Sequence, residues 1–452
     1  MFSKSLITFL AIAGLANNAL AVPVAKRSVV NADHPQKIAD RYVVFLKNGI
    51  TDAATSAHES RINAFHAKMA RDPSNANKVR GGLRKKFKFA KSGINGYTGS
   101  FDKATVAEIL KSPEVDFVEQ DQVVRIKDVP ENVEAEEGEK LEKRVYRASS
   151  TWGLDRVSHS QFATPYSYYY DDTYQGDGAT VFVVDTGIWT THKQFLDYQT
   201  GKTRAFWGYN AIDTDNFDGN GHGTHCSGTI GGTTYGVNRK VKLVAVKVLD
   251  ADGSGSLESV IDGMQWVLKN VTSLGLQNKA VVSMSLGAGK STSINNAVAA
   301  LTAGGVTVVV AAGNESDDAA NSSPASAPSA ITVGAIDVDN SMAWFSNFGT
   351  IVDVFAPGVD VISAWPSSTN DATESLSGTS MATPHVAGLA AYYISIAIKN
   401  NNIATTTNPT ALAKLITGNA ITNQITTKNL KGAPNKIAFN NYCNPSLRTC
   451  ST

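Results

Sequence analysis

The sequence predicts a doubly wound α/β fold, a mostly parallel sheet with helices on both faces, preceded by a small α+β domain. Three observations carry this. Short apolar runs rich in valine recur as VFVVD at 181, LVAVKVL at 243, AVVSMS at 280, GVTVVVAAG at 305, AITVGA at 330 and VDVFAPG at 352. Helical patterns lie between them, such as Leu257, Val260, Ile261, Met264, Val267 and Leu268. Continuous apolar strands alternating with helices imply a parallel sheet covered on both faces. Thirdly, residues 41 to 126 repeat strand and helix signals on a smaller scale.

At 452 residues, with 42% hydrophobic and 18% charged, the chain is globular and long enough for more than one folding unit. A formal net charge of +1 gives no reason to expect nucleic acid or anionic surfaces as partners. Residues 1 to 21 carry Lys4, an apolar stretch and Ala19-Leu20-Ala21, the pattern of a secretory signal peptide. No later stretch reads as a membrane span, so the product is expected to be secreted, with the vacuole as the alternative. Lys26-Arg27 is a weak dibasic processing signal.

In the unit from 41 to 126, RYVVFLKNG reads as a strand. Ile62, Phe65 and Met69 mark one helix face, and Val106, Ile109 and Leu110 a second. Phe87 and Phe89 alternate with lysines as on a half-buried strand, and VDFVEQDQVVRI returns to strand. An open sheet with two helices on one face is the simplest packing. Residues 127 to 145 form an acidic linker poor in large apolar side chains and containing Lys143-Arg144, so an exposed segment open to a dibasic-processing protease is expected. Residues 146 to 452 form the large domain. Cys443 and Cys450 bracket a short loop containing Pro445 and are expected to form a disulfide in an oxidising compartment, leaving Cys226 unpaired.

Four polar residues stand at structurally marked places. Asp185 ends the VFVV strand, at the sheet edge where ligands bind. Its Asp-Thr-Gly string is also the aspartic-protease signature, but that chemistry needs a second copy and none is present. His222 lies in the glycine-rich GNGHGTHC, where it is either structural or free to approach other groups. His222 and His225 make a poor zinc pair, lacking a third ligand nearby. Asn314 follows the strand at 305, as a turn residue or as an amide donor to an oxyanion. Ser380 sits in SLSGTSMATPHVAG, a tight turn feeding a helix with Pro384 in its opening turn. A serine there is either an N-cap or a nucleophile at the positive end of the helix dipole.

Taken together, Asp185, His222, Asn314 and Ser380 resemble the subtilisin-like serine proteases, in the chain order Asp, His, Ser. VVDTGI, GNGHGTHC, SLGAG, AAGN and GTSMATPHVAG fall in family order. WGLDRVS at 152, Cys226 directly after His225, and SPASAPSAITVGA at 323 look most like the proteinase K and cerevisin subgroup. Residues 41 to 126 resemble the family's inhibitory propeptide, with its ending VEQDQVV.

The resemblance implies a serine endopeptidase made as a zymogen, its propeptide acting as intramolecular inhibitor and chaperone. Ser380 is then the nucleophile, His222 its base, Asp185 the group that orients His222, and Asn314 an oxyanion donor. Gly253-Ser254-Gly255 and Ser285-Leu286-Gly287 would grip an extended peptide between them. Ala311, Ala312 and Gly313 would wall a primary pocket roomy enough for large apolar or aromatic side chains, giving broad specificity on protein and peptide substrates. No cofactor is implied for catalysis. A structural calcium ion is implied at Asp353 with the carbonyls of Pro328 and Ala330. Cys226 would be a buried thiol beneath His222 without catalytic duty, sensitive to mercurials. Asn270 and Asn321 head glycosylation sequons; Asn314 heads another, which substrate would exclude. A monomer is expected. A catalytically dead, peptide-binding relative is the competing class, and retention of all four residues speaks against it.

Overall fold

The computed structural model of the chain describes residues 27–74, 79–89, 92–127, 129, 150–161, 165–171 and 173–441. The expected signal peptide, Lys26, Lys143-Arg144 and the Cys443–Cys450 pair lie outside the described residues.

The N-terminal unit contains β1 (Lys37–Leu46), α1 (Asp52–Arg71), β2 (Gly82–Phe89), β3 (Ile94–Ser100), α2 (Lys103–Lys111) and β4 (Val115–Ile126). The strands form an antiparallel sheet in the order β4-β1-β3-β2. Side chains alternate across it as pleating requires. Tyr42, Val44 and Leu46 pack on Ile62 of α1 and on Val106 and Ile109 of α2. Val43, Phe45, Phe87 and Phe89 point the other way, into a core shared with the large domain. RYVVFL therefore reads as a continuous apolar run because both faces of β1 are covered. β2 is the half-buried strand expected, with Phe87 and Phe89 buried and Lys88 exposed between them. The inner face of α1 is His58, Ile62 and His66, whereas Phe65 and Met69 are only partly buried.

The large domain contains β5 (Thr180–Asp185), β6 (Ala205–Asn210), α3 (His222–Gly231), β7 (Lys242–Lys247), α4 (Leu257–Ser273), β8 (Ala280–Met284), α5 (Thr292–Ala303), β9 (Val306–Ala311), β10 (Ile331–Ile336), β11 (Val354–Pro357) and α6 (Thr379–Lys399). Its central sheet runs β11-β10-β9-β8-β5-β7-β6, all parallel, with two short C-terminal strands added beside β11. Each valine-rich run is a strand of this sheet. Alternate residues again divide between two cores: Val181 and Val183 join α3 and α6, while Phe182 and Val184 join α4 and α5.

Helix α6 passes through the first of these cores and is almost wholly buried. It is long and apolar enough to cross a bilayer, contrary to the expectation that no later stretch would be; most of it lies inside the fold. Pro384 stands in its second turn rather than its first.

Candidate active site

Asp185, at the C-terminal end of β5, is fully buried. Its Oδ1 accepts from the Thr186 amide at 2.7 Å and lies 2.7 Å from His222 Nδ1. His222 opens α3 after Gly221, whose φ of 107° favours a residue without a side chain. A second carboxylate, Asp218, secures this junction. Its Oδ1 accepts from Thr186 Oγ1 at 2.8 Å and the Gly221 amide at 2.9 Å, and its Oδ2 accepts from the Thr224 amide at 2.9 Å. Asp218 thus ties the strand end bearing Asp185 to the helix start bearing His222. The sequence reading assigned it no role, although an acidic residue just before a helix start is a recognisable signal.

The position of Ser380 is shaped by Pro384. In a regular helix the amide of residue 384 would donate to the Ser380 carbonyl, and proline has no such donor. The freed Ser380 carbonyl instead accepts from Ser285 Oγ at 2.9 Å and from the Cys226 thiol at 3.5 Å. Ser380 Oγ donates to the Ser285 carbonyl at 3.1 Å. The Ser380 amide, an orphan donor of the first helical turn, faces the cleft.

Asn314 follows β9 through Gly313. Its Oδ1 accepts from the Thr379 amide at 2.9 Å and Thr379 Oγ1 at 2.8 Å, which turns its NH2 group into the cleft. Gly313 adopts φ 111°, and a Cβ there would collide with Asn347 and Glu315.

The cleft holds the chain's own residues 123–127. Val123–Arg125 pairs antiparallel with Ser254–Ser256, and Arg125 and Ile126 pair with Gly287 and Leu286. The Ile126 amide donates to the Gly253 carbonyl at 3.1 Å, and the Lys127 amide to the Ser285 carbonyl at 3.3 Å and Ser380 Oγ at 3.1 Å. The Lys127 carbonyl accepts from Asn314 Nδ2 and, at 3.4 Å, from the Ser380 amide. Beyond that bond the Val129 amide donates to the Ser377 carbonyl at 3.0 Å. Residues 253–255 and 285–287 thus both hydrogen-bond to the backbone of this same segment. Ala311 and Ala312 are buried at the end of β9.

Cys226 lies fully buried with Sγ 4.0 Å from His222 Nε2. Burial pushes its thiol up, only partly offset by His222, so it stays protonated and a poor nucleophile. Asp185, His222 and Cys226 offer ligand atoms within 4.8 Å of one another, whereas His225 turns away and bonds through Nε2 with the Val361 and Glu374 carbonyls. Asp353 accepts from the Thr332 amide at 2.8 Å. Burial pushes its carboxyl up, against Thr332 and Lys436. Asn321 is exposed and Asn270 partly buried, while the Asn314 amide is engaged in the cleft.

Residues 176–439 match the subtilase family and residues 41–127 the peptidase inhibitor I9 family. A cuticle-degrading serine protease of Arthrobotrys oligospora is 52% identical over 98% of this chain and 100% of its own length. Subtilisin-like protease 7 of Arthroderma otae is 42% identical over 85% of this chain and 90% of its own. The crystal structure of a cold adapted subtilisin-like serine proteinase superposes with a TM-score of 0.57 at 40% identity, covering 65% of this chain and 99% of that one. With an inhibitor I9 propeptide ahead of its peptidase domain, the chain belongs to the subtilase family and is a serine endopeptidase.

Proposed function

We propose that the chain is a secretory-pathway zymogen that hydrolyses peptide bonds through Ser380, His222 and Asp185 by way of an acyl-enzyme. The observation that carries this is one peptide carbonyl, that of Lys127, resting between Asn314 Nδ2 and the Ser380 amide, with Ser380 Oγ beside it. His222 takes the proton of Ser380 Oγ as it attacks, and Asp185 holds the ring with Nδ1–H toward its carboxylate. The oxyanion that forms is stabilised by the same two donors that meet the ground-state carbonyl. The leaving amine receives the proton from His222, and water then releases the acyl group.

The pocket walls at Ala311, Ala312 and Gly313 favour broad specificity, with room for large apolar or aromatic side chains. Until the N-terminal unit leaves, its β4 extension fills the cleft and inhibits. The signal-like N-terminus supports secretion into the medium, with the vacuole as the second route, and the enzyme is read as a monomer. Cys443 and Cys450 are assigned to a disulfide, and Asn270 and Asn321 to glycans. Catalysis draws on no cofactor in this reading.

Calcium is assigned a structural role at Asp353, with the carbonyls of Pro328 and Ala330. A buried carboxylate whose neighbours leave its pKa raised is stabilised by a hard cation, and oxygen donors suit calcium. Lys436 lines the hollow beside Asp353 and competes for the same charge. Chelator is expected to lower the melting temperature; an unchanged melting curve removes calcium from the account.

The decisive experiment expresses the precursor and its Ser380→Ala variant in parallel. Wild type is expected to shorten itself and hydrolyse casein, and the variant to do neither while keeping its fold. A wild type that binds peptides without cutting casein would mark a peptide-binding relative instead.

A further inference from the structure

Lys247 closes β7 and has no part in the chemistry derived above. It is 3% exposed, and in the parallel pairing of β5 with β7 its register partner is Asp185. Its Nζ donates to the Thr186 carbonyl at 3.0 Å. Thr186 is a junction. Its amide donates to Asp185 Oδ1 at 2.7 Å, and its Oγ1 donates to Asp218 Oδ1 at 2.8 Å while accepting from the Gly223 amide at 2.9 Å. One buried residue thus joins the lysine, two buried carboxylates and the helix that begins with His222. Asp185 Oδ2 is itself buried and accepts no hydrogen bond among the described residues. A buried ammonium is costly without negative charge nearby, and so is a buried carboxylate without a cation. Each side of this arrangement answers the need of the other.

We propose that Lys247 is a positioning residue for the reaction: it pins the strand end that carries Asp185 and balances the charges of Asp185 and Asp218, so that His222 meets one net negative charge instead of two. The inference rests on the protease reading and adds a residue to its machinery. Without the lysine, two buried carboxylates would draw a proton onto His222 at rest and disable it as a base. With it, the ring stays neutral until Ser380 gives up its proton. The bond to the Thr186 carbonyl has a second effect. Gly187 follows with φ 126°, a conformation that glycine adopts readily, and the lysine holds the turn that begins there. Asp185 Oδ1, which meets both the Thr186 amide and His222 Nδ1, is thereby kept in place.

The other titratable and charged groups around His222 leave this balance to Lys247. On α3, His225 is bonded to two backbone carbonyls and Cys226 stays protonated. On α6, His385 lies buried with Nδ1 2.8 Å from the Met381 carbonyl, and burial pushes it down to about 4. Lys193, in the short helix 193–195 that packs on α3, is exposed and paired with Asp371 at 2.7 Å. The strand 361–364 beside α3 carries no titratable side chain. Asp250, just after β7, is bonded to the Asp252 and Ser254 amides, and Lys242 lies at the opposite end of β7 over the Phe206 ring. Lys127 is paired with Glu315 and is gone from the cleft once the N-terminal unit has left.

The test starts from the full-length chain and uses the mature enzyme it releases. The acid limb of the pH profile of kcat/KM, on one uncharged peptide, reads the protonation of free His222. Lys247→Met keeps an unbranched stem and removes the ammonium. Its acid limb is expected to move up by about one pH unit, and its plateau kcat to fall roughly three- to tenfold with little change in KM. Lys247→Arg keeps the charge and is expected to hold the limb near the wild-type position. Asp218→Asn keeps an oxygen for its donors but removes a negative charge, so its limb is expected to move down, and combining it with Lys247→Met should bring the limb back toward wild type. A merely structural lysine would lower the yield of folded enzyme or the plateau without moving the limb. An unmoved limb in Lys247→Met, or an Arg variant displaced as far as the Met variant, overturns the proposal. Should Lys247→Met fail to mature, Asp218→Asn decides, and a limb that stays or rises there overturns it. Casein hydrolysis by wild type in the same series shows that the protease reading stands while this one falls. Inactivity of wild type sinks the two together.

Discussion

Asn314 owes its orientation to Thr379, and its two roles can be separated. The amide oxygen is occupied by two Thr379 donors, so the NH2 group has one direction left to point. Asn314→Ala removes the oxyanion donor and is expected to lower kcat by about a hundred- to a thousandfold with little change in KM, the range seen for the oxyanion asparagine of this same family. Thr379→Val keeps Asn314 but removes the hydroxyl donor, leaving one tie instead of two. A smaller loss in kcat, roughly tenfold, is expected from the fraction of turnovers with a misdirected amide. Steady-state kinetics on one peptide compares both variants. Equal losses would mean that Thr379 acts by another route. In the sequence Asn314 carries its meaning only beside Ser380, since a strand-end asparagine is ordinarily a turn residue. Lys247 was harder to read: it follows a valine run as a surface lysine would, and only the pairing of its strand with β5 sets it beside Asp185.

Helix α6 shows how one local defect serves the site. Pro384 withholds the donor that a continuous helix would give to the Ser380 carbonyl, and Ser285 and Cys226 use that carbonyl to anchor the serine. Pro384→Ala restores the amide donor and removes a residue unfavourable in a helix interior. Stability is therefore expected to hold or rise, while kcat/KM falls roughly tenfold as the serine shifts from its anchors. Thermal melting and peptide kinetics on the same preparation check both halves; full activity would show that the freed carbonyl positions nothing. The elements themselves were legible because the large sheet is parallel and covered on both faces, so its strands appear as continuous valine runs. The faces of the N-terminal unit were not. His58 and His66 line the inner side of α1 beside Tyr97 and Phe101, a polar-aromatic packing that hydrophobic periodicity does not register. Lys86 and Lys88, which alternate with Phe87 and Phe89, pair with Glu59 and Asp52 of α1, whereas Lys85 and Arg84 earlier in the strand reach the large domain, Lys85 at Asp262 and Arg84 at Glu258, 3.0 Å away.

The interface between the two units is where inhibition is held, and its carboxylates give it a pH dependence. Asp121 of β4 accepts from the Leu257 amide at 3.0 Å, at the N-terminus of α4, and Arg41 lies 2.8 Å away. Burial nevertheless raises its carboxyl from 3.8 to about 6, outweighing Arg41, and the neighbouring Glu258 charge pushes the same way. Burial pushes Glu258 up as well, but bonds from Arg84 and Thr98, with the nearby charge of Arg41, bring it below its ordinary value. The signs are opposite. Asp121 favours the bound state fully below its ordinary pKa, and that contribution is lost as pH rises through about 6. Glu258 favours the bound state above its ordinary value and loses this as pH falls below it. Between pH about 4 and about 6 the Asp121 effect dominates, so the severed N-terminal unit is held more weakly at pH 7 than at pH 5. The shift corresponds to roughly ten- to a hundredfold in affinity. Asp121→Asn keeps an oxygen for the Leu257 amide but cannot ionise, and is expected to flatten the dependence. Co-elution of the two cleaved units at both pH values measures it. A wild-type complex equally tight at pH 5 and pH 7 would show that Arg41 compensates the buried Asp121 charge in full, and the release of inhibition would then have to come from digestion of the N-terminal unit rather than from its titration.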